Sequence, residues 1–317
     1  MIRYLRGRIP AAILVLLGAS LLVFSMLHFL PGDPVLIMMA SGGGGIAGAQ
    51  GTEISQEQYE AIRYQLGLDR PLYVQFGAFV WNALHGDLGR SFRSNQTVAE
   101  LIANVLPNTF RLALLSLGIS CLVGVTLGTL AAVRHNTWID SATMAFALFG
   151  VAMPNFWFGL VLISVFALNL RWLPATGAGG WSAIILPALA LGMRSAAVIA
   201  RLTRASLLEV LSEGYLTTAR AKGLPERIIV VRHSLRNALI PVVTIAGLQF
   251  GDLLAGAVVI EVVFARPGLG NLAVKAIENK DFPVVQGTVL VVATAYVVTN
   301  LLTDVVYALL DPRITYT

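Results

Sequence analysis

Six apolar runs, each long enough to cross a lipid bilayer as a helix, constrain this chain more than any other feature. They cover roughly 9–30, 108–133, 141–169, 183–203, 238–262 and 284–309. A spanning helix needs about 20 apolar residues. Inside a bilayer every backbone N–H and C=O must be bonded within the segment or within a closed barrel. The runs are far longer than barrel strands, so the expected class is all-α integral membrane, with six transmembrane helices. Composition agrees, with 56% hydrophobic and only 12% charged residues, where a soluble domain carries about 25% charge.

The net charge of +5 does not call for nucleic acid. The basic residues lie beside the spans, where the preference of cytosolic loops for Lys and Arg accounts for them. With the N-terminus inside, the short cytosolic pieces hold Arg3, Arg6, Arg8, Arg134, the cluster from Arg201 to Arg236, and Arg313. The outer pieces spread their basic residues over far more sequence, balanced by acids such as Glu53, Glu57, Glu60, Asp69, Asp87 and Glu100. Both termini are therefore expected in the cytosol. The basic start is like that of a signal peptide. However, the stretch from Ile9 to Leu30 is too long for a signal core, and no small-x-small cleavage pattern follows, so an uncleaved span is expected. The single cysteine, Cys121, sits in an apolar run. It allows no internal disulfide and no cysteine metal site, and reads as a packing residue.

Residues 31–107 form a long outer segment. Leu30-Pro31-Gly32-Asp33-Pro34 ends the first helix in a turn, and Ser41 to Gly51 is a glycine-rich loop. Ser55 to Leu66 opens with a capping-box pattern, Ser55 and Gln58, and reads as a short surface helix. Tyr73 to Leu84 reads as another, half-buried against the membrane or a partner. Met153-Pro154-Asn155 in the third run and Pro187 in the fourth predict kinks, which serve either packing shape or the opening of helices around a pathway. Trp172 and Trp181 bracket an outer turn-rich loop. In the last outer connection a turn over Arg266 to Gly270 precedes a short amphipathic helix.

Chemistry of its own is absent from the pattern. A phosphate-binding loop needs G-x-x-x-x-G-K-[ST], and the glycines at 268 and 270 lack the lysine and the preceding strand. Leu211 to Tyr215 (LSEGY) is similar to the signature loop of ABC ATPases only superficially, because no phosphate loop accompanies it. The histidines His28, His85, His135 and His233 show no i, i+4 metal pairing. Catalysis, a metal and a bound nucleotide are not expected in this chain. Charged groups within spans are costly in hydrocarbon and mark candidate pathways. Arg194 lies in the fourth run, and Asp252 in the fifth with Gln249 one turn earlier. Together with Asn155 they are candidate pathway-lining residues. Arg194 and Asp252 also fit an inter-helix pair or snorkelling groups.

The long polar interruption from Tyr215 to Pro241 stands apart. It carries Arg220, Lys222, Arg227, Arg232 and Arg236. A helix is expected to stop at Gly223, with Leu224-Pro225 forcing a turn. A second helix then carries Arg232 and Arg236 one turn apart. Ala219, Ala221 and Gly223 are small enough for close approach to another backbone, and Arg220 and Lys222 flank them for acidic partners. Contact with anionic lipid headgroups is the competing reading of so basic a loop.

This stretch resembles the cytosolic EAA loop of ABC importer permeases. Thr217-Thr218-Ala219 stand at the E-A-A positions, Gly223 is the glycine, and His233 to Arg236 stand where I-x-L-P would be. These departures look like those of the peptide-transport subfamily, although Gly214 falls where that subfamily more often has an acid. Leu30 to Pro34, Leu66 to Pro71, Gly86 to Ser91, Phe264 to Gly270, Asp281 to Gly287 and Leu310 to Arg313 resemble the same family in register. The resemblance covers nearly the whole chain and is to the first permease of dipeptide, oligopeptide and nickel importers. It implies a type I ABC importer permease fold in the bacterial inner membrane. It also implies a first helix with external segment (1–107), a five-helix core (108–310) whose coupling loop lies at about 204–237, and a cytosolic tail (311–317). Thr217, Thr218, Ala219, Arg220, Ala221, Lys222, Gly223 and Leu224 become the expected ATPase-coupling residues. The implied partners are a second homologous permease, two ABC ATPases that hold ATP and Mg, an external solute-binding protein, membrane lipid and a peptide solute. Nickel, haem or another non-peptide solute on the same machinery is the alternative. A self-contained ion-coupled carrier or channel is a lower one, for which internal inverted repeats would be expected.

Overall fold

Helix fills the apolar runs in the computed structural model, which describes residues 2–29, 35–36, 56–65, 67–94, 96–176 and 180–310. The chain forms α1 (Ile2–Phe29), α2 (Gln56–Gln65), α3 (Leu72–Leu84) and α4 (Val98–Val133). Next come α5 (Trp138–Ala152), α6 (Asn155–Asn169), α7 (Ser182–Leu211) and α8 (Gly214–Ala221). It closes with α9 (Glu226–Val263), α10 (Leu269–Glu278) and α11 (Phe282–Leu310). Among the described residues the sole extended pairing is an isolated bridge between Arg90 and Thr97. Five helices are long and apolar enough to cross a membrane, and α5 with α6 makes a sixth span if the bent pair is counted as one. The glycine tract, the Ser55 end of the expected capping box and residues 311–317 lie outside the described residues.

The third apolar run departs from a simple kink: α5 and α6 meet at 108°. Met153 (φ −82°, ψ 134°) and Pro154 (φ −63°, ψ 134°) are both extended. Proline removes the N–H that would continue the helix and drives the preceding residue out of the helical region, so the turn becomes a break. The other internal prolines, Pro10, Pro107, Pro187 and Pro241, leave their helices continuous. Helix α4 also starts ten residues before its apolar run. Glu100 N–H donates to Thr97 Oγ1 and Thr97 N–H to Glu100 Oε2, each at 3.3 Å, a reciprocal cap that stabilises the polar first turns.

Two compact units arise from contacts along the chain. One comprises Asn108–Arg266 with the C-terminal part of α11 from Val298. Helix α7 is its axis and packs against α5, α6 and α9. Of its most apolar window 72% is buried, against 17–33% in the other spans. Small residues permit this. Gly124 and Gly128 of α4 face α7 so closely that a methyl at Gly124 would stand 2.7 Å from the Ala196 carbonyl oxygen, and one at Gly128 would meet the Ala200 carbonyl. Gly192 of α7 faces Ser116, and Ser120 Oγ donates to the Gly192 carbonyl at 2.7 Å. In a bilayer, where lipid tails are as apolar as leucine, such close backbone approach and interhelical hydrogen bonds supply much of the association energy.

The other unit comprises Pro267–Val297 with the described residues between Leu5 and Pro107. Val98, Ile102, Leu269, Ala276, Val284 and Val285 form its core. The buried Asp281 carboxylate accepts from Ser91 Oγ (2.5 Å) and from the Phe92 N–H (3.1 Å). Two segments 190 positions apart are thereby stapled together. Phe24 of α1 packs against Phe76 and Phe79 of α3, with ring centroids 5.5 and 6.2 Å apart. Elsewhere on α3, Tyr73, Trp81 and Leu84 are exposed.

Candidate coupling loop and pathway residues

The loop after α7 is built as two short helical pieces around one glycine. Glu213, extended, precedes α8, and Lys222 follows it. Gly223 has φ +77°, the left-handed region that glycine reaches without steric cost. In that conformation its N–H reaches the Arg220 carbonyl (2.9 Å), while Leu224 N–H reaches Ala219 (3.3 Å) and Lys222 N–H reaches Thr218 (3.1 Å). The last carbonyls of α8 are thus satisfied, and Pro225 then opens α9. The expected stop at Gly223 is what the backbone does.

Helix α8 is anchored by one face. Leu216 is fully buried and Ala219 half-buried, whereas Thr217, Thr218, Arg220, Ala221, Lys222, Gly223 and Leu224 are exposed. Tyr215 Oη donates to the His233 carbonyl (3.3 Å) and accepts from Asn237 Nδ2 (3.0 Å), which fastens α8 to α9. Arg220 does not stand open, since its Nε donates to Glu226 Oε1 at 2.7 Å across the turn. The second piece runs straight into the span as α9, with a π-helical stretch over Ile229–Ser234 that carries Arg232 and His233. Ser234 Oγ accordingly bonds the carbonyl of Ile229, five residues back (3.0 Å). Such bulges inside α-helices recur at functional sites.

Beside this loop the connection from α4 to α5 is clamped to α7. The Arg204 guanidinium grips Asp140 with both Nε–Oδ1 (2.6 Å) and Nη2–Oδ2 (2.8 Å), and the Asn136 N–H donates to Oδ2 (3.1 Å). Asp140 is buried, and the two-point fork fixes geometry as well as charge. Sequence reasoning placed Arg204 in the loop region but missed this partner. Asp140 at the start of a helix directly after a turn was the available signal.

The four candidate pathway residues fall in one unit and differ in setting. Asn155 is half-buried at the start of α6, and its amide nitrogen is 3.9 Å from where a methyl on Gly256 would stand. Gln249 Oε1 accepts from the buried Ser195 Oγ at 3.1 Å. Arg194 and Asp252 are exposed on α7 and α9, and among the described residues no ion pair joins them. Among the same residues no cluster of three or more His, Cys, Asp or Glu groups has the arrangement to hold a metal.

The sequence matches two family descriptions. Residues 124–316 match "Binding-protein-dependent transport system inner membrane component", and residues 1–113 match the N-terminal domain that accompanies it. The chain belongs to this permease family. Full-length relatives include the glutathione transport system permease protein GsiC of Escherichia coli strain K12 and that of Shigella flexneri serotype 5b. Each is 44% identical over 316 residues and covers all of both chains. Among solved structures the permease is similar to an inward-facing form of the MetNI methionine ABC transporter, at TM-score 0.55 and 22% identity, over 67% of this chain and 96% of that one. An amino acid ABC transporter with histidines matches at TM-score 0.52 and 16% identity, over 66% and 93% of the two chains. At such identities these two establish the fold. The permease is a membrane-spanning subunit of an ABC importer, a multi-pass protein of the inner membrane.

Proposed function

We propose that this permease forms half of a translocation pathway for di- or oligopeptides and takes its drive from separate ATPase subunits through α8 and the Gly223 turn. The peptide reading is carried by one observation, the full-length 44% identity to a glutathione transport permease, since glutathione is itself a small peptide. The coupling reading is supported by geometry. Helix α8 presents Thr217, Thr218, Ala221 and Lys222 outward while Leu216 holds it down, a short, small-residued surface suited to a groove on a partner. The orientation that fits places both termini and α8 in the cytosol, with residues 31–107 outside, where a solute-binding protein would dock. A second, homologous permease would complete the pathway, and ATP with Mg would reside in the ATPases.

The test is assembly and uptake. The permease is co-expressed with its second permease and ATPases, and the complex is assayed for ATPase retention and peptide uptake, with Gly223 intact or changed to Val. A valine at φ +77° is strained by about 1–2 kcal/mol and disturbs the outward surface of α8. The expected result is loss of ATPase subunits or of ATP-driven uptake while the permease remains in the membrane. Retained assembly and uptake would contradict coupling through this turn.

A further inference from the structure

At the end of the core remote from α8 lies a cavity of about 510 Å³, lined by Asn108, Arg111, Leu114, Trp181, Ile184 and Arg266 among others. Ligand cavities are typically about 300–1,000 Å³ and combine apolar walls with a few polar groups. Among the described residues that line this one are two guanidinium groups and no carboxylate. Arg111 is about 33 Å up α4 from Val133, at 1.5 Å per residue, and Arg266 follows the end of α9. In the orientation proposed above, both sit at the outer mouth.

The two arginines are held differently. Arg266 is buried, and its Nη1 donates to the Ala183 carbonyl at 3.2 Å. Burial pushes its pKa down from the ordinary value, and the nearby Glu261 carboxylate pulls it back up. Glu261 is in turn fixed by Thr109 Oγ1 at 2.6 Å, so Arg266 has a local counter-charge. Arg111 is exposed on α4, one turn beyond the Asn108 carboxamide, and no ion pair joins it to a described residue. The cavity therefore carries an excess positive charge, a planar fork matched to oxyanions and an exposed indole at Trp181.

We infer that this cavity is an outer binding station for the carboxylate of the solute, with Arg111 as its principal ligand, Asn108 as a further donor and Trp181 as the wall for the solute's side chain. The inference rests on the peptide reading for its solute. Its chemistry, an oxyanion on Arg111, stands independently. An anionic lipid headgroup offers the same chemistry, and the experiment separates the two sources.

The full complex is reconstituted in vesicles of phosphatidylethanolamine alone or with phosphatidylglycerol. ATP-driven uptake of a free dipeptide and of its C-terminal amide is then compared for the native chain, Arg111→Gln and Arg111→Lys. The inference predicts that native protein favours the free acid by at least about tenfold, the lower end of what one charge-assisted hydrogen bond contributes. Arg111→Gln abolishes that preference by lowering acid uptake alone, Arg111→Lys restores part of it, and vesicle composition changes neither. An equal loss for acid and amide, or no loss, overturns it. A preference that follows phosphatidylglycerol assigns the site to lipid and overturns it as well. If the native complex imports neither peptide, the peptide reading fails. The site is then judged by Trp181 fluorescence in the detergent-solubilised complex titrated with acetate, with Trp181→Phe assigning the signal. A response lost in Arg111→Gln upholds the oxyanion site, and the lack of any response in native protein overturns it.

Discussion

Replacing Gly128 by alanine adds one methyl group, and the contact of α4 with α7 determines what that methyl meets. Its position falls against the Ala200 carbonyl oxygen and 2.7 Å from Thr203 Cβ, with the Arg204 backbone nitrogen at 3.1 Å. Two of these three neighbours are backbone of the most enclosed helix in the unit, so neither can turn aside. Gly118 lies on the same helix with nothing within 4 Å of a would-be methyl. Both changes gain the same helix preference of alanine over glycine, about 1 kcal/mol, so their difference isolates the steric cost. Overpacking of this kind costs about 1–3 kcal/mol, and rigid backbone neighbours place Gly128→Ala at the upper end. The expected result is a Gly118→Ala protein at or slightly above native stability and a Gly128→Ala protein about 3 kcal/mol below it. In thermal unfolding of the purified detergent complex this is a gap of about 5 °C or more. If both variants melt together, α4 and α7 do not meet through Gly128 and the described packing is wrong.

Three further outcomes follow from the same geometry. Asp281→Ala leaves the Phe92 N–H and Ser91 Oγ without their buried acceptor, which costs about 1–3 kcal/mol. Limited proteolysis should then cut the segment around Phe92 faster than in native protein, and equal rates would remove the staple from the account. A double-mutant cycle of Asp140→Asn and Arg204→Gln should give a coupling of about 1 kcal/mol, because the arginine side of the pair is partly screened by solvent; strict additivity of the two melting shifts would dissolve the clamp. Gly223→Asn should retain more ATP-driven uptake than Gly223→Val, since asparagine tolerates the left-handed region better than a β-branched residue, and the reverse order would point away from backbone conformation as the cause.

Much of this architecture was legible in the chain because run length and turn chemistry are local. The spans, the stop at Gly223, and helices at 56–65, 72–84 and 269–278 all rest on signals within a few residues of one another. The Thr97–Glu100 cap was equally local but lay ahead of the apolar run, in a stretch where polar residues obscured the start of α4. The break between α5 and α6 was visible as a proline, yet Pro10, Pro107, Pro187 and Pro241 leave their helices continuous, so a proline alone did not announce the 108° angle. Gly124-x-x-x-Gly128 is a known spacing for close helix approach, although the identity of its partner, α7, is a tertiary matter. The least readable features were the pairs distant in sequence. Ser91 with Asp281, and Asp140 with Arg204, are ordinary polar residues until the fold brings them together. Arg220 looked available for a partner because its pairing with Glu226 crosses the turn that Gly223 and Pro225 shape together.

Under the proposed function this permease moves peptide only when ATP is hydrolysed by attached subunits. Uptake of a labelled dipeptide into proteoliposomes that hold the purified complex and its solute-binding protein puts this dependence to the test. Accumulation is expected with ATP and Mg inside, and none with a non-hydrolysable ATP analogue or when the ATPase subunits are omitted. Accumulation driven by an imposed ion gradient, with the ATPases absent, would contradict it.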